Sequence, residues 1–556
     1  MVAIPNYSPV VRATQGDYSA TALVGTHSVS VAWNCRDGRQ DGLRGFAVRK
    51  SEYDAGTGDL VATNWLRGEK RFKNDIADGT EISSARAPFQ RFRWSDYTLR
   101  AGLAYRFEIF PVRGTFPALT TAEPPVELML RPSQETVDGV GIHVNRGVTS
   151  AFAYLDRFKL QHPSDIADGS AYRWLSRGLK EALLAFIAAA QPGEALHVCI
   201  YEFVEEEIAE ALRLARSRGV VVEIVYHAKP GDHATTENEH MLHAKGLDQV
   251  ATARRKVGNI SHNKFIVHLI GGQPVRLFTG TANFSENAFY FQTNAAVTLE
   301  DPVVAATYED YFQVLKDDPA RTGAAGDANE IRNRIRAILE RINIVDPRRF
   351  ETTYFSPLRK LDIVDRAVDM IGRAKSCVFV SSPFGLDRRI VEALGRNGDD
   401  ILEYGLANTT ARRKIESLNR KNTRFFTPSR LETYLGRAWD SKAFGNHKIH
   451  TKLIAIDPWS DNPQLLFGSA NFSEDSCTNN DENAFLSNDP RINAVLVTEF
   501  LRMFDHYKSR AFINQIRSTG LSDDEFLKED NSWSRSSFNP GSNSHKFRDR
   551  VVFMGD

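Results

Sequence analysis

Long apolar runs are missing from this sequence. The longest, Ala182 to Ala190, spans 9 residues, whereas a membrane helix needs roughly 20, so no transmembrane helix is expected. Cysteine is scarce. Cys35, Cys199, Cys377 and Cys477 are scattered without CxxC spacing, which argues against a zinc site or a disulfide framework and reads as buried or neutral thiols. Net charge is also missing: 70 Lys and Arg balance 70 Asp and Glu, so no bulk positive field draws the chain onto nucleic acid or anionic lipid. Any such affinity must be local. The first twenty residues show no basic segment followed by an apolar one, so no secretory signal is read and a cytoplasmic location is the default expectation. Secretion by another route stays open.

What is present is ordinary globular composition, 42% hydrophobic, 25% charged and 10% aromatic over 556 residues. That length suits several cores or one large duplicated core. From about residue 20 to 130, short alternating runs are punctuated by Gly, Asp, Pro and Thr: SVSVAW (28–33), GFAVRK (45–50), FRWSDY (92–97) and YRFEIFPV (105–112). This is the pattern of an all-β sandwich. With Trp33, the stretch LRAGLAYRFEIFPV resembles a fibronectin type III domain, in which Tyr105 would be the tyrosine-corner residue. Such a domain implies a spacer or recognition module. The basic run KRFK (70–73) beside Asp75 and Asp78 reads as a solvated loop.

From about residue 140 the pattern changes to alternating strands and helices, and the programme runs twice. ALHVCIYEF, the amphipathic helix 206–219, VVVEIVYH, FIVHLI, VRLFTGTA, NAAVTL and a helix over 303–316 form one pass. SCVFVSSPF, a helix near 388–398, ILEYGLAN, KLIAID, QLLFGSA, NAFLSND and a helix over 492–510 form the second. A charged helix and linker, roughly 325 to 350, separates them. The expected domains are a sandwich (1–135), a first α/β half (136–345), a second (346–515) and a polar C-terminal tail (516–556) that ends in a strand-like RDRVVFMGD.

The repeat is sharpest in its polar residues. His262-Asn263-Lys264 precedes Gly280-Thr281-Ala282-Asn283-Phe284-Ser285-Glu286, and His450-Thr451-Lys452 precedes Gly468-Ser469-Ala470-Asn471-Phe472-Ser473-Glu474. The His-to-Asn interval is 21 residues in both copies, which lie 188 apart. Two further HxK matches, His227-Ala228-Lys229 and His243-Ala244-Lys245, lack the downstream element and read as surface or loop residues, with His227 placed at a strand end near the cleft. Phe284 and Phe472 read as core; Glu286 and Glu474 read as cap or loop hydrogen-bonders.

The paired HxK with a following G-[ST]-x-N resembles the phospholipase D superfamily, whose motif is H-x-K-x4-D and then G-[GS]-x-N. The second copy fits fully, with Asp457 in the aspartate position, whereas Leu269 stands at that place in the first. The resemblance covers about residues 140 to 515 and implies a fold of two α-β-α halves around one pseudosymmetric site. At the start of a strand, residues i and i+2 project from one face, so each His points with its Lys. The hydroxyls of Thr281 and Ser469 and the amides of Asn283 and Asn471 are expected to close on the same cleft, a pocket for a phosphodiester.

For this chemistry the resemblance implies a phosphohistidine, with His262 as nucleophile and His450 as general acid and base, while Lys264, Lys452, Asn283 and Asn471 stabilise charge without metal or cofactor. A histidine nucleophile needs its other ring nitrogen held. Glu482 is the candidate in the second half, Thr293 or Gln292 in the matching stretch of the first, and Glu202 could supply a carboxylate from elsewhere. The motif identifies a phosphodiester and not its arms. A phospholipid substrate with peripheral membrane contact calls for apolar rim residues, for which 424–426, 289–291, Trp439 and Trp459 are candidates. A nuclease calls for a positive groove, for which Arg254-Arg255-Lys256, Arg412-Arg413-Lys414 and Arg420-Lys421 are candidates. Phospholipid is the preferred reading. A catalytically idle scaffold is disfavoured by the two intact motif sets, and a monomer suffices because one chain carries both half-sites.

Overall fold

The computed structural model describes residues 2–75, 82–147, 152–159, 161–254, 259–317, 327–342, 352–408, 418, 420–428, 449–519 and 526–555. The N-terminal region is all β. One sheet runs Val10–Gln15, Tyr18–Val24, Val29–Cys35 and Arg93–Asp96, while the other is built on Gly45–Asp54 and Leu103–Thr115, and all of its pairings are antiparallel. Alternate residues of both sheets, among them Trp33, Phe46, Tyr105 and Phe107, meet in one apolar core, as period-2 side chains require when each sheet buries one face. The Tyr105 hydroxyl accepts the Arg100 backbone N–H at 2.7 Å.

Two mixed sheets follow, and they share one strand order. In the first, Val140–Val144, Ala295–Leu299, Gln273–Gly280, Lys264–Ile270, Ala195–Ile200, Val221–His227 and Ala251–Arg254 lie side by side, with the short Thr136–Val137 at the edge. In the second the order is Thr352–Ser356, Glu482–Ser487, Gln464–Gly468, Leu453–Ile456, Cys377–Ser381, Leu402–Leu406 and Thr423–Phe426. The first four strands of each list pair antiparallel and the last three parallel. The helices Pro302–Asp317, Asp327–Ile342 and Pro490–Thr519 lie between the sheets, and a single core contains Phe265, Tyr311 and Ile335 together with Phe379, Phe467 and Phe500. The charged segment between the halves is therefore structural in its helical part: Ile331, Ile335 and Ile338 face inward at helical spacing.

The sandwich is joined to this unit by buried polar contacts. Arg93 reaches both carboxylate oxygens of Asp505 at 2.7 and 3.0 Å, and Ser28 bonds Thr498 and Glu499. Two expectations, one for the closing residues and one for the basic run, need correction. The closing RDRVVFMGD is not a strand: Lys546–Met554 is a helix capped by Gly555 at φ 79°, because Val552, Phe553 and Met554 gain more by packing on Phe379, Tyr404 and Trp459 than β-branched propensity supplies. The tail also packs on the sandwich, with Trp533 stacked on Phe92 at 5.2 Å in its core. The run 70–73 is not simply solvated, since Phe72 is fully buried and stacks on Phe116; Asp78 lies outside the described residues. All four cysteines are buried and unpaired.

Candidate active site

The two HxK motifs enter the central strands Lys264–Ile270 and Leu453–Ile456 at equivalent ends, and the halves cross over one another there. Ser261 pairs with Asp481 and Thr293 with Ile449, each in parallel; the His262 N–H donates to the Asp481 carbonyl at 2.8 Å and the His450 N–H to that of Thr293 at 3.2 Å. The backbone before each histidine is thus held by the other half. The two imidazoles face one another with ring centroids 6.5 Å apart and planes inclined by 71°. Both are buried, and so are Lys264, Lys452 and Asn283.

Each ring is pinned through Nδ1 by a residue of the opposite half. His262 Nδ1 lies 2.9 Å from Glu482 Oε2. His450 Nδ1 lies 2.9 Å from Asn294 Oδ1. The Asn294 amide donates through Nδ2 to the Ala288 carbonyl at 2.9 Å, so its oxygen is the atom that faces the ring, and the network assigns the proton to His450 Nδ1. Behind both lies the same support: Ser469 Oγ donates to Glu482 Oε2 at 2.6 Å, and Thr281 Oγ1 to Asn294 Oδ1 at 2.7 Å. These hydroxyls stand behind the histidines rather than facing the cleft as expected. Their turns require the preceding glycine, because a Cβ on Gly280 would lie 2.4 Å from the Ala295 carbonyl oxygen and one on Gly468 2.3 Å from that of Asn483.

The first-half counterpart of Glu482 is Asn294, not Thr293 or Gln292. The shift of 188 that carries His262 to His450 also carries residue 294 to 482, a signal already in the sequence. Asn145 bears no mark in the sequence. Its amide, buried, donates to the Ala288, Phe289 and Gln292 carbonyls and accepts the Asn294 N–H, fixing the turn that presents Asn294.

Glu202 does not orient a histidine. It accepts from Asn283 Nδ2 at 2.6 Å, and its carboxylate opposes the burial that lowers both lysines. Asn283 Oδ1 and Asn471 Oδ1 have no hydrogen-bond partner among the described residues, unusual for buried amide oxygens. Tyr201 and Phe384 complete the walls: the Lys264 ammonium lies 5.3 Å from the Tyr201 ring centroid and that of Lys452 5.9 Å from Phe384. Tyr201, Glu202, Phe384 and Asn471 are half-buried while the residues behind them are buried, so these four frame the opening.

Asp457 is not brought to this centre. It follows the far end of the strand that His450 enters, about 20 Å away at the rise of a β-strand, and accepts the backbone N–H groups of Lys375, Ser376 and Cys377 at 2.8 to 3.0 Å. Its work is to tie two strands together. In the first half, where Leu269 replaces it, Glu194 accepts the Gln191 N–H at 2.8 Å and bonds His268. Glu286 is exposed and accepts the Tyr172 hydroxyl; Glu474 begins the helix Glu474–Thr478, capped by Ser473. Phe284 and Phe472 are core.

Burial dominates the electrostatics of the centre. Burial and the two lysine charges hold both imidazoles well below the ordinary histidine value. Lys264 is pulled down to about 7 by burial, against the opposing pull of Glu482 and Glu202. Lys452 is lowered by burial and by Lys264. Burial pushes Glu482 up to about 7, against Lys264 and its own hydrogen bonds.

The substrate-directed candidates divide unevenly. Phe289, Tyr290, Phe291 and Trp459 are buried, and Phe426 packs edge-on against Phe504, so they do not form an exposed apolar rim. Arg254 is fully buried in a bidentate pair with Asp481, both contacts 3.0 Å. Arg420 bonds the carbonyls of Leu394, Gly395 and Asn397, and Lys421 that of Pro540. Trp439, Arg255, Lys256, Arg412, Arg413 and Lys414 lie outside the described residues. No helix among those described is long and apolar enough to cross a membrane.

Residues 183–316 and 367–504 each match the family described as "Cardiolipin synthase, PLD-like domain". No curated protein matches the chain. Among solved structures, it is similar to a phosphatidylserine synthase from Haemophilus influenzae Rd KW20 at 11% identity and TM-score 0.42, covering 59% of this chain and 85% of that one. It is similar to the phospholipase D family member Nuc from Salmonella typhimurium at 25% identity and TM-score 0.21, covering 24% and 84%. It also resembles a polyphosphate kinase from Porphyromonas gingivalis at 14% identity and TM-score 0.38, covering 59% of this chain and 48%, about half, of that one. Two matched domains around one pair of HxK motifs make the chain a duplicated member of the phospholipase D superfamily, with an all-β region ahead of its two PLD-like halves.

Proposed function

We propose that the protein is a metal-independent phosphodiesterase that works through a phosphohistidine on His262. One observation carries this reading: two imidazoles face each other across 6.5 Å, each held at Nδ1 from the opposite half, one by a carboxylate and the other by a carboxamide. Both rings are thereby left with Nε2 for chemistry.

The difference in backing divides the roles. When His262 Nε2 attacks phosphorus, a P–N bond forms and the ring becomes cationic; Glu482, on Nδ1, offsets that charge. His450, whose Nδ1 proton is held by the neutral amide of Asn294, becomes the imidazolium when the anionic diester offsets the lysine charges, and so holds a second proton at Nε2. It gives that proton to the departing oxygen as the P–O bond breaks, then takes one from the water that cleaves the P–N bond. An alcohol in place of water would give transfer by the same route. Lys264, Lys452, Asn283 and Asn471 surround the equatorial oxygens. The lowered lysines and imidazoles describe a site short of negative charge, which an anionic diester supplies.

For the diester itself we infer a phospholipid. The carboxylate of Glu202 at the opening disfavours a flanking phosphate on that side, the described members of the basic clusters are spent on internal bonds, and the matched family is described as a cardiolipin synthase domain. The N-terminal sandwich fits a fibronectin type III-like module of residues 1–135, ahead of halves 136–345 and 346–515 and the tail 516–556. The test is product release in excess EDTA from phosphatidylcholine and phosphatidylethanolamine vesicles and from single-stranded DNA, beside His262→Asn and His450→Asn. Lipid cleavage that persists in EDTA and is lost in both variants is the expected result. DNA cleavage with inert lipid would reassign the substrate, and activity that survives both substitutions would remove the two-histidine mechanism.

A further inference from the structure

His227 is fully buried at the end of Val221–His227, and the reaction described above does not use it. Its Nδ1 accepts the backbone N–H of Ser261, the residue before His262, at 3.1 Å. An accepting Nδ1 in a neutral ring places the proton on Nε2, which lies 2.9 Å from Asp232 Oδ2. The Tyr201 ring stands between the two histidines, 5.0 Å from His227 and 5.3 Å from His262.

The second half explains what this bond is for. The 188-residue shift carries Ser261 to Ile449, the residue before His450. In the sheets, Cys199 pairs with Phe265 and Val225, and Ser381 with Leu453 and Leu406. Phe265 and Leu453 are 188 apart, so Val225 corresponds to Leu406, and two residues on His227 corresponds to Asn408. Asn408 Oδ1 accepts the Ile449 N–H at 2.9 Å, and its Nδ2 donates to the Ile449 carbonyl at 2.8 Å. The same backbone amide is thus held in both halves from the same place in the sheet. The side chains differ: an amide that does not titrate in one, an imidazole that does in the other.

We propose that His227 is a positioning residue that clamps the backbone before the His262 nucleophile, as Asn408 clamps it before His450, and that only the His227 clamp opens on protonation. A proton on Nδ1 would turn it from acceptor to donor against the Ser261 N–H. The charged and titratable groups around it are Asp232 on Nε2, Lys229, Asp481 with its partner Arg254 on the neighbouring strand, Tyr201 and His262. Burial lowers the His227 pKa, opposed by Asp232 and Asp481, so the clamp is closed at neutral pH and opens in acid. This rests on the phosphodiesterase reading for its effect on rate, but the clamp itself is testable without turnover.

The test joins amide hydrogen exchange at Ser261 to kinetics on bis(4-nitrophenyl) phosphate, in the wild type, His227→Leu, His227→Asn and Asn408→Leu. Ser261 exchange is expected to be slow at pH 8 in the wild type and in H227N, whose Oδ1 replaces Nδ1, and fast in H227L. Toward acid it should speed up beyond its intrinsic trend in the wild type but not in H227N. In the kinetics, H227L should lose about 10- to 100-fold in kcat with little change in KM, as removal of an orienting partner does; H227N should recover most of this at pH 8 and lose less rate in acid than the wild type. N408L, which leaves His227 in place, should keep the pH dependence. Equal Ser261 exchange in all four proteins overturns the clamp. H227L and H227N equally active, or equally impaired with unchanged pH profiles, overturns its positioning role. A wild type that cleaves no diester overturns the reaction assigned to the site and with it the effect on rate, while exchange still decides the clamp.

Discussion

The two halves of the catalytic unit share strand order, histidine spacing and backbone straps, yet they differ at the atom behind each imidazole: Glu482 supports His262 and Asn294 supports His450. Duplication supplied two equal histidines, and one substituted hydrogen-bond acceptor makes them unequal. A carboxylate suits a ring that must carry charge through an intermediate, whereas an amide suits one that must gain and lose a proton quickly.

The largest expected effects separate the histidines by leaving group. His262→Asn should lower kcat on any diester by roughly 10⁶-fold, as loss of a nucleophile does. His450→Asn should cost about 10²- to 10⁴-fold with an alkoxide leaving group but little with 4-nitrophenolate, which needs no proton; equal losses on both esters would erase the distinction between the halves. Next come the backing groups. Glu482→Gln should cost about 10- to 100-fold, and Asn294→Asp should raise the pKa of His450, moving the alkaline limb of the pH–rate profile upward, because a new carboxylate favours the charged ring. A profile unmoved by N294D would deny the amide its role.

Smaller effects concern the straps. Arg254→Leu leaves Asp481 buried without its partner and should destabilise the fold by about 3 to 5 kcal/mol, with the double variant Arg254→Leu, Asp481→Leu recovering much of it by thermal melting. Lys264→Met should abolish turnover yet raise the melting temperature. The lysine is lowered to about 7 in the fold, below its ordinary value near 10.4. Stability is thus lost as pH falls from that value toward 7, and the variant's advantage is greatest below 7 and absent above about 10.4. The smallest effect is expected of Asp457→Asn, about 1 to 3 kcal/mol from weakened backbone bonds with kcat unchanged.

Much of this was legible in the sequence because duplication repeats its signal. The alternation of strands and helices, its repetition and both HxK motifs follow from period and spacing, and Asn294 follows from the same 188-residue shift once it is applied to every polar residue. Other features carried no such mark. Asp457 belongs to the motif yet works at the opposite end of its strand, a place that the rise of a strand gives but membership of the motif conceals. His227 and Asn408 correspond only after strand pairing shows that the two loops differ in length. The aromatics of 289–291 and Trp459 resemble a rim in sequence because composition does not give the side of a sheet, and helix Lys546–Met554 resembles a strand because the packing that selects helix lies far away in the chain.

His262 and the carboxylate that completes it are 220 residues apart in the chain. At ribosomal speed, a nascent chain that has already released His262 waits roughly 10 to 45 seconds for residue 482 to emerge. Until then His262 lacks both the carboxylate on its Nδ1 and the Asp481 carbonyl that holds its backbone, so order of synthesis makes the second half the one that completes the first.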